Sequence, residues 1–96
     1  MNNPTVNSCY IHITGVVQGV GFRPFVYNLA AELSLSGWVL NSSAGVEIEA
    51  VGPAAVLDEF VENLRSDAPP LSRIEQITVK EIEIPESMPN EFVIRH

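Results

Sequence analysis

The stretch TGVVQGVGFRPF, Thr14 to Phe25, sets an arginine behind three glycines in an otherwise acidic chain. No lysine or arginine precedes Arg23, the next base is Arg65, and the first acid is Glu32. Gly15, Gly19 and Gly21 free the backbone, so that successive N–H groups can turn toward one point as an anion nest. A helix starting just after them adds the positive end of its dipole at the same place. The Arg23 guanidinium carries two parallel N–H donors that match two oxygens of a phosphate. Together these features describe a phosphate cradle. The same residues also fit a glycine-rich turn with a surface arginine, and residue physics alone leaves both readings open. Two nucleotide patterns do not fit: there is no G-x-x-x-x-G-K-[ST], and Gly19-x-Gly21 lacks the third glycine of a dinucleotide fingerprint.

The other chemically capable side chains are sparse. Cys9 is the only cysteine, so it has no internal disulfide partner and no metal spacing; it fits a small buried apolar residue better than a reactive thiol. His12 and His96 lie far apart, and no cluster of Cys, His or carboxylates accompanies either, so no metal site is expected. His12 falls in an alternating stretch and reads as a strand residue rather than a catalytic base. A net charge of −7 argues against sequence-independent binding to DNA or RNA, which needs clustered bases to neutralise phosphates. No apolar run reaches the roughly 18 residues of a membrane span, and the opening MNNPTVNSC has neither part of a signal peptide. The expectation is a cytoplasmic protein with no membrane partner.

These residues must be held by a small set of elements. Cys9, Ile11 and Ile13 alternate with Tyr10, His12 and Thr14, the period of a two-faced strand. Phe22, Phe25, Val26, Leu29, Ala30 and Leu33 follow at helical spacing, with Pro24 in the first turn and Gly37 ending the segment. Trp38–Leu40 and Val46–Val51 read as strands joined by Asn41–Gly45, with Gly52 and Pro53 as the stop. Leu57, Phe60, Val61 and Leu64 make a second amphipathic helix that Asp67–Pro70 terminates. Ile74–Ile84 is β-rich, and its parity shift predicts a bulge near Glu81. Glu91–Arg95 forms a closing strand, with an extra short strand allowed near the end. The order β-α-β-β-α-β is that of a ferredoxin-like α+β sandwich, an antiparallel sheet with both helices on one face. Residues 1–8 are expected to be a flexible N-terminal segment ahead of one domain at 9–96. A composition of 46% hydrophobic and 18% charged residues suits such a globular domain.

GVVQGVGFR, Gly15–Arg23, resembles the acylphosphatase signature G-x-V-Q-G-V-x-F-R. GWVLNSSAGVEIEAVG, Gly37–Gly52, resembles that family's second motif, G-x-V-x-N-x-x-x-G. The resemblance implies that Arg23 binds the substrate phosphate and that Asn41 orients the attacking water. It also implies that Gln18, Gly19, Val20, Gly21 and Phe22 form the loop whose amides hold the phosphoryl oxygens. The missing acid–base pair then makes chemical sense. An acyl phosphate is a mixed anhydride whose leaving acid has a pKa of about 4, so it departs without a proton from the protein. Apart from the resemblance, Asn41 reads better as a turn former at a strand end. One departure is Ala44, where many single-domain members carry aspartate before the glycine; it puts the hairpin geometry in question.

FRPFVYNLA, APPLSRIEQI and the terminal EFVIRH resemble one subgroup more closely: the N-terminal acylphosphatase-like domain of hydrogenase-maturation carbamoyltransferases of the HypF type. That implies hydrolysis of carbamoyl phosphate, no cofactor in this domain, and further domains of the same full-length chain as partners. On this reading the present chain is an excised domain, since cysteine-rich zinc fingers do not come after it. A free-standing acylphosphatase and a non-catalytic anion-binding module of the same fold remain as alternatives. The first is distinguished by whether the native gene continues past His96 into C-x-x-C pairs, the second by phosphate binding without turnover.

Overall fold

The computed structural model describes residues 6–87 and 89–96. Alternation decides the first element, β1 (Val6–Val16), which buries Cys9, Ile11 and Ile13 on one face and turns Tyr10 and His12 to the other. Helix α1 (Phe22–Glu32) buries Phe22, Val26, Leu29 and Ala30, three and four apart, in the same core as that face. Each such aliphatic or aromatic side chain removed from water stabilises the fold by roughly 1.5–3 kcal/mol. The helix stops at Ser34, whose φ of 57° is left-handed, and the Leu35 N–H returns to the Ala30 carbonyl at 3.0 Å. Gly37, expected to end this segment, instead lies inside β2 (Ser36–Ser42), paired with Ala50.

β3 (Gly45–Pro53) runs through Gly52 and Pro53 rather than stopping before them. Helix α2 (Ala54–Ser66) buries Leu57, Phe60 and Leu64 and closes with the Asp67 N–H on the Asn63 carbonyl, at the expected Asp67–Pro70 stop. β4 (Arg73–Ile82) and the short β5 (Phe92–Ile94) complete the order. The five strands lie as β4-β1-β3-β2-β5. One hydrophobic core joins the buried faces of both helices to one face of the sheet, as the ferredoxin-like reading requires.

Several expectations need correction. The sheet is mixed rather than wholly antiparallel, because β5 runs parallel to β2. No bulge occurs at Glu81: β4 keeps its register on β1 from Gln76 to Ile82, and the shift falls between Thr14 and Gly15. The parity change has another cause. Ile77 and Val79 pair with Ile13 and Ile11 on the helix-covered side, whereas Ile82 lies on the opposite face beside Ser8, and Ile84 is past the strand end. The segment expected to be flexible, residues 1–8, is strand from Val6, with Val6, Asn7 and Ser8 opposite Pro53, Gly52 and Val51. Its residues 1–5 lie outside the described residues.

Candidate active site

Past Val16 the chain leaves the sheet, and Val17 drops into the core at 1% exposure. Gln18 and Gly19 then stand in solvent before α1 begins. Gly19 and Gly21 have φ of 74° and 79°, in the left-handed region, and a Cβ at either would meet nothing within 4 Å. Glycine is therefore needed there for backbone conformation and not for room. Left-handed residues alternating with Val20 are the kind of backbone in which consecutive N–H groups can converge on an anion, and Gly21 is also the N-cap of α1, without a side-chain capping bond. The first turn of α1 carries no acid, so its free N–H groups and dipole face the loop unopposed.

Arg23 is the second residue of α1 and is half-buried. Its Nη1 donates to the Arg95 carbonyl at 3.4 Å and to His96 Nδ1 at 3.3 Å, neither of them an anion. The Arg95 N–H in turn donates to the Val39 carbonyl at 2.8 Å, so the arginine is anchored through the end of β5 to β2. Two residues beyond Val39 on β2 comes Asn41, with the parity of Gly37 and Val39, the side that the helices cover. Asn41 is not in the turn, where the sequence put it, but in the strand opposite Val46. Its Oδ1 is buried and has no hydrogen-bond partner among the described residues. Arg23 and Asn41 thus lie toward the same end of the sheet, the end where Gln18 of the glycine loop bonds the hairpin.

The hairpin that carries Asn41 is held by side chains the sequence reading passed over. The Ser42 hydroxyl accepts the Ala44 N–H at 3.2 Å and donates to the Gly45 carbonyl at 3.4 Å, which closes the turn without an aspartate at 44. His12, in β1 as expected, donates Nε2–H to the Ala44 carbonyl at 2.8 Å. Gln18 Nε2 donates to the carbonyls of Ser42 at 2.6 Å and Gly45 at 3.1 Å. Of the loop residues predicted to bind phosphate, Gln18 therefore turns its side chain to the hairpin, while Val20 and Phe22 turn theirs to the core. Only main-chain groups of these residues remain for a ligand. Serine beside the Asn41 position was a usable clue to the turn; Arg95 and His96 left no local signal, being 72 and 73 residues from Arg23.

Glu47 and Glu49 of β3 lie on the face without helices, where Tyr10 Oη donates to Glu47 at 2.7 Å and Trp38 Nε1 to Glu49 at 3.1 Å. The Tyr10 hydrogen bond, with Ser42 and His12 acting in the same sense, holds the Glu47 carboxyl below the usual carboxylate range. The Arg95 guanidinium sits 5.1 Å from the Trp38 ring centre, so its side chain is engaged while its carbonyl serves Arg23. Among the described residues no group of three or more His, Cys, Asp or Glu is placed to hold a metal ion. The arrangement offers amides, a guanidinium and a neutral amide oxygen, which suits an anion whose reaction with water needs charge stabilisation rather than proton transfer from a side chain.

Comparison with known proteins gives the family. The acylphosphatase family model matches residues 9–94. Carbamoyltransferase HypF2 of Cupriavidus necator is 61% identical over 75 residues, which are 78% of this chain and 9% of that protein. An acylphosphatase of Pediococcus pentosaceus is 37% identical over 92 residues, covering 95% of this chain and 100% of that one. A crystal structure of full-length HypF in the phosphate- and nucleotide-bound form superimposes with a TM-score of 0.93 at 39% identity, over 99% of this chain and 12% of that one. The chain thus spans about a tenth of the carbamoyltransferases it matches and the whole of the small enzyme. It belongs to the acylphosphatase family and is a hydrolase of acyl phosphates.

Proposed function

We propose that the chain hydrolyses carbamoyl phosphate to carbamate and inorganic phosphate in the cytoplasm, as the N-terminal domain of a hydrogenase-maturation carbamoyltransferase. The observation that carries the reaction is that an anchored Arg23 and a buried Asn41 Oδ1, which has no hydrogen-bond partner among the described residues, lie toward the same end of the sheet. In this reading the amides of Gln18–Phe22 and the free N–H groups of Arg23 bind the phosphoryl oxygens and stabilise the charge that spreads over them. Asn41 Oδ1 accepts a hydrogen bond from a water and aims its lone pair at phosphorus. A new P–O bond forms as the bond from phosphorus to the carbamate oxygen breaks. Carbamate leaves as an anion and needs no proton, and the proton lost by the water goes to a phosphate oxygen. The choice of carbamoyl phosphate rests on the higher identity to the carbamoyltransferase than to the free-standing enzyme.

Phosphate release from carbamoyl phosphate and from benzoyl phosphate tests both parts. The native chain is expected to hydrolyse both, with the larger kcat/KM on carbamoyl phosphate. Arg23→Lys, which loses the planar fork, and Asn41→Ala should each lower kcat by about 10²–10³-fold with unchanged circular dichroism. Equal rates in all three proteins would remove the site assignment. A clear preference for benzoyl phosphate would favour a free-standing acylphosphatase, a reading that the end-to-end match to the Pediococcus pentosaceus enzyme supports.

A further inference from the structure

The Gln18 side chain joins the two halves of the site. Its Nε2 has two protons, and each has an acceptor: the carbonyl of Ser42 at 2.6 Å and that of Gly45 at 3.1 Å. Two carbonyl partners also fix which end of the amide faces the hairpin, because the Oε1 end has nothing to donate. Ser42 and Gly45 are the last cross-strand pair of the β2–β3 hairpin, and the next pair inward is Asn41 and Val46. One side-chain nitrogen therefore holds both strands of the hairpin at its last cross-strand pair, one residue beyond Asn41. The main chain of the same residue lies in the loop between β1 and α1, where Gly19 and Gly21 take left-handed φ values of 74° and 79°.

We infer that Gln18 is a positioning residue that sets the distance between the phosphate-holding loop and Asn41, and so acts on the attack of water rather than on phosphate affinity. The inference rests on the role given to Asn41 above. Without the clip the hairpin is still tied to β1 through His12 and the Ile13–Val46 pair, but no other hydrogen bond among the described residues joins it to the loop. A misplacement of about 1 Å between nucleophile and phosphorus costs up to roughly a hundredfold in rate. Phosphate binding is insulated from this, because the loop amides and Arg23 stay on one continuous piece of chain.

The test is Gln18→Met, which keeps the length of the side chain and removes both donors. Expected is a fall in kcat of about tenfold, with the competitive inhibition constant of inorganic phosphate within about twofold of native. In an Asn41→Ala background the same substitution should lower the residual kcat by less than about twofold, since there is no oriented water left to misplace. An unchanged kcat would overturn the inference, as would a phosphate inhibition constant that rises while kcat holds, which would make the side chain a ligand. If the native chain hydrolyses no acyl phosphate, the reading of Asn41 fails separately, and the clip is still read from amide hydrogen exchange at Ala44, Gly45 and Val46. Faster exchange there in Gln18→Met supports the clip; exchange equal to native sinks it.

Discussion

Cys9 is 6% exposed, and burial, with the negative charge of Asp58 adding to it, pushes its thiol up to about 11 from an ordinary 9.0. Tyr10, beside it on the other face, is pushed up to about 12 from 10.0 by burial first, then by the hydrogen bond and charge of Glu47 and the charge of Glu49. Both groups hold their protons more tightly in the folded chain than in the unfolded one. Their contribution to stability is therefore complete below pH 9 and is lost as pH rises, through about 11 for Cys9 and about 12 for Tyr10. Urea midpoints measured against pH should be flat up to about 8 and then decline, and Cys9→Ala should remove the earlier part of that decline. A chromogenic disulfide reagent should label Cys9 slowly in buffer and quickly in denaturant. That Cys9 is buried was legible in its alternation with Tyr10. The work of the Gln18 side chain was not, because its acceptors lie 24 and 27 residues away and belong to main chain, which carries no residue-type signal.

Among the elements, β5 is the least self-sufficient. It has three residues, and Phe92 fixes it to α2 through an edge-on contact with Phe60, ring centres 6.3 Å apart. Phe92→Ala should destabilise the domain by about 3–5 kcal/mol. It should also loosen the Arg95 carbonyl from Arg23, so that the inhibition constant of inorganic phosphate rises severalfold, whereas Leu64→Ala of similar stability cost should leave it near native. Thermal melts and phosphate inhibition of the two variants check this; equal inhibition constants would separate β5 from the site. Elements with a clean period, β1, α1 and α2, were readable because one face of each is buried and the other is not. β4 misled because Ile82 lies on the helix-free face opposite Ser8, so the parity change was a change of face and not a bulge. Asn41 read as a turn residue because its type is common in turns, while its place in β2 is set by pairing with Val46. The parallel direction of β5 has no local signature, since it depends only on where the last loop sets the chain down.

At the scale of the whole molecule, a dianionic substrate approaches a chain of net charge −7 whose cationic site is local. Long-range repulsion should slow encounter at low ionic strength and fade as the Debye length shortens from about 30 Å at 0.01 M to about 8 Å at 0.15 M. kcat/KM should therefore rise between those concentrations of potassium chloride, and a fall instead would mean that the local cation, and not the net charge, governs capture. The strand order carries a consequence of its own. The central strands β1, β3 and β2 come first in the chain, and both edges, β4 and β5, come after α2. A nascent chain that has emerged only through α2 has two bare sheet edges open to wrong pairing. Its Arg23 is made early, yet the carbonyl that anchors it arrives 72 residues later. Non-local closure of this kind folds slowly for a chain of this size. The proposed phosphate site is thus among the last features to form during synthesis, so an incomplete domain has no finished Arg23 anchor with which to act on a substrate.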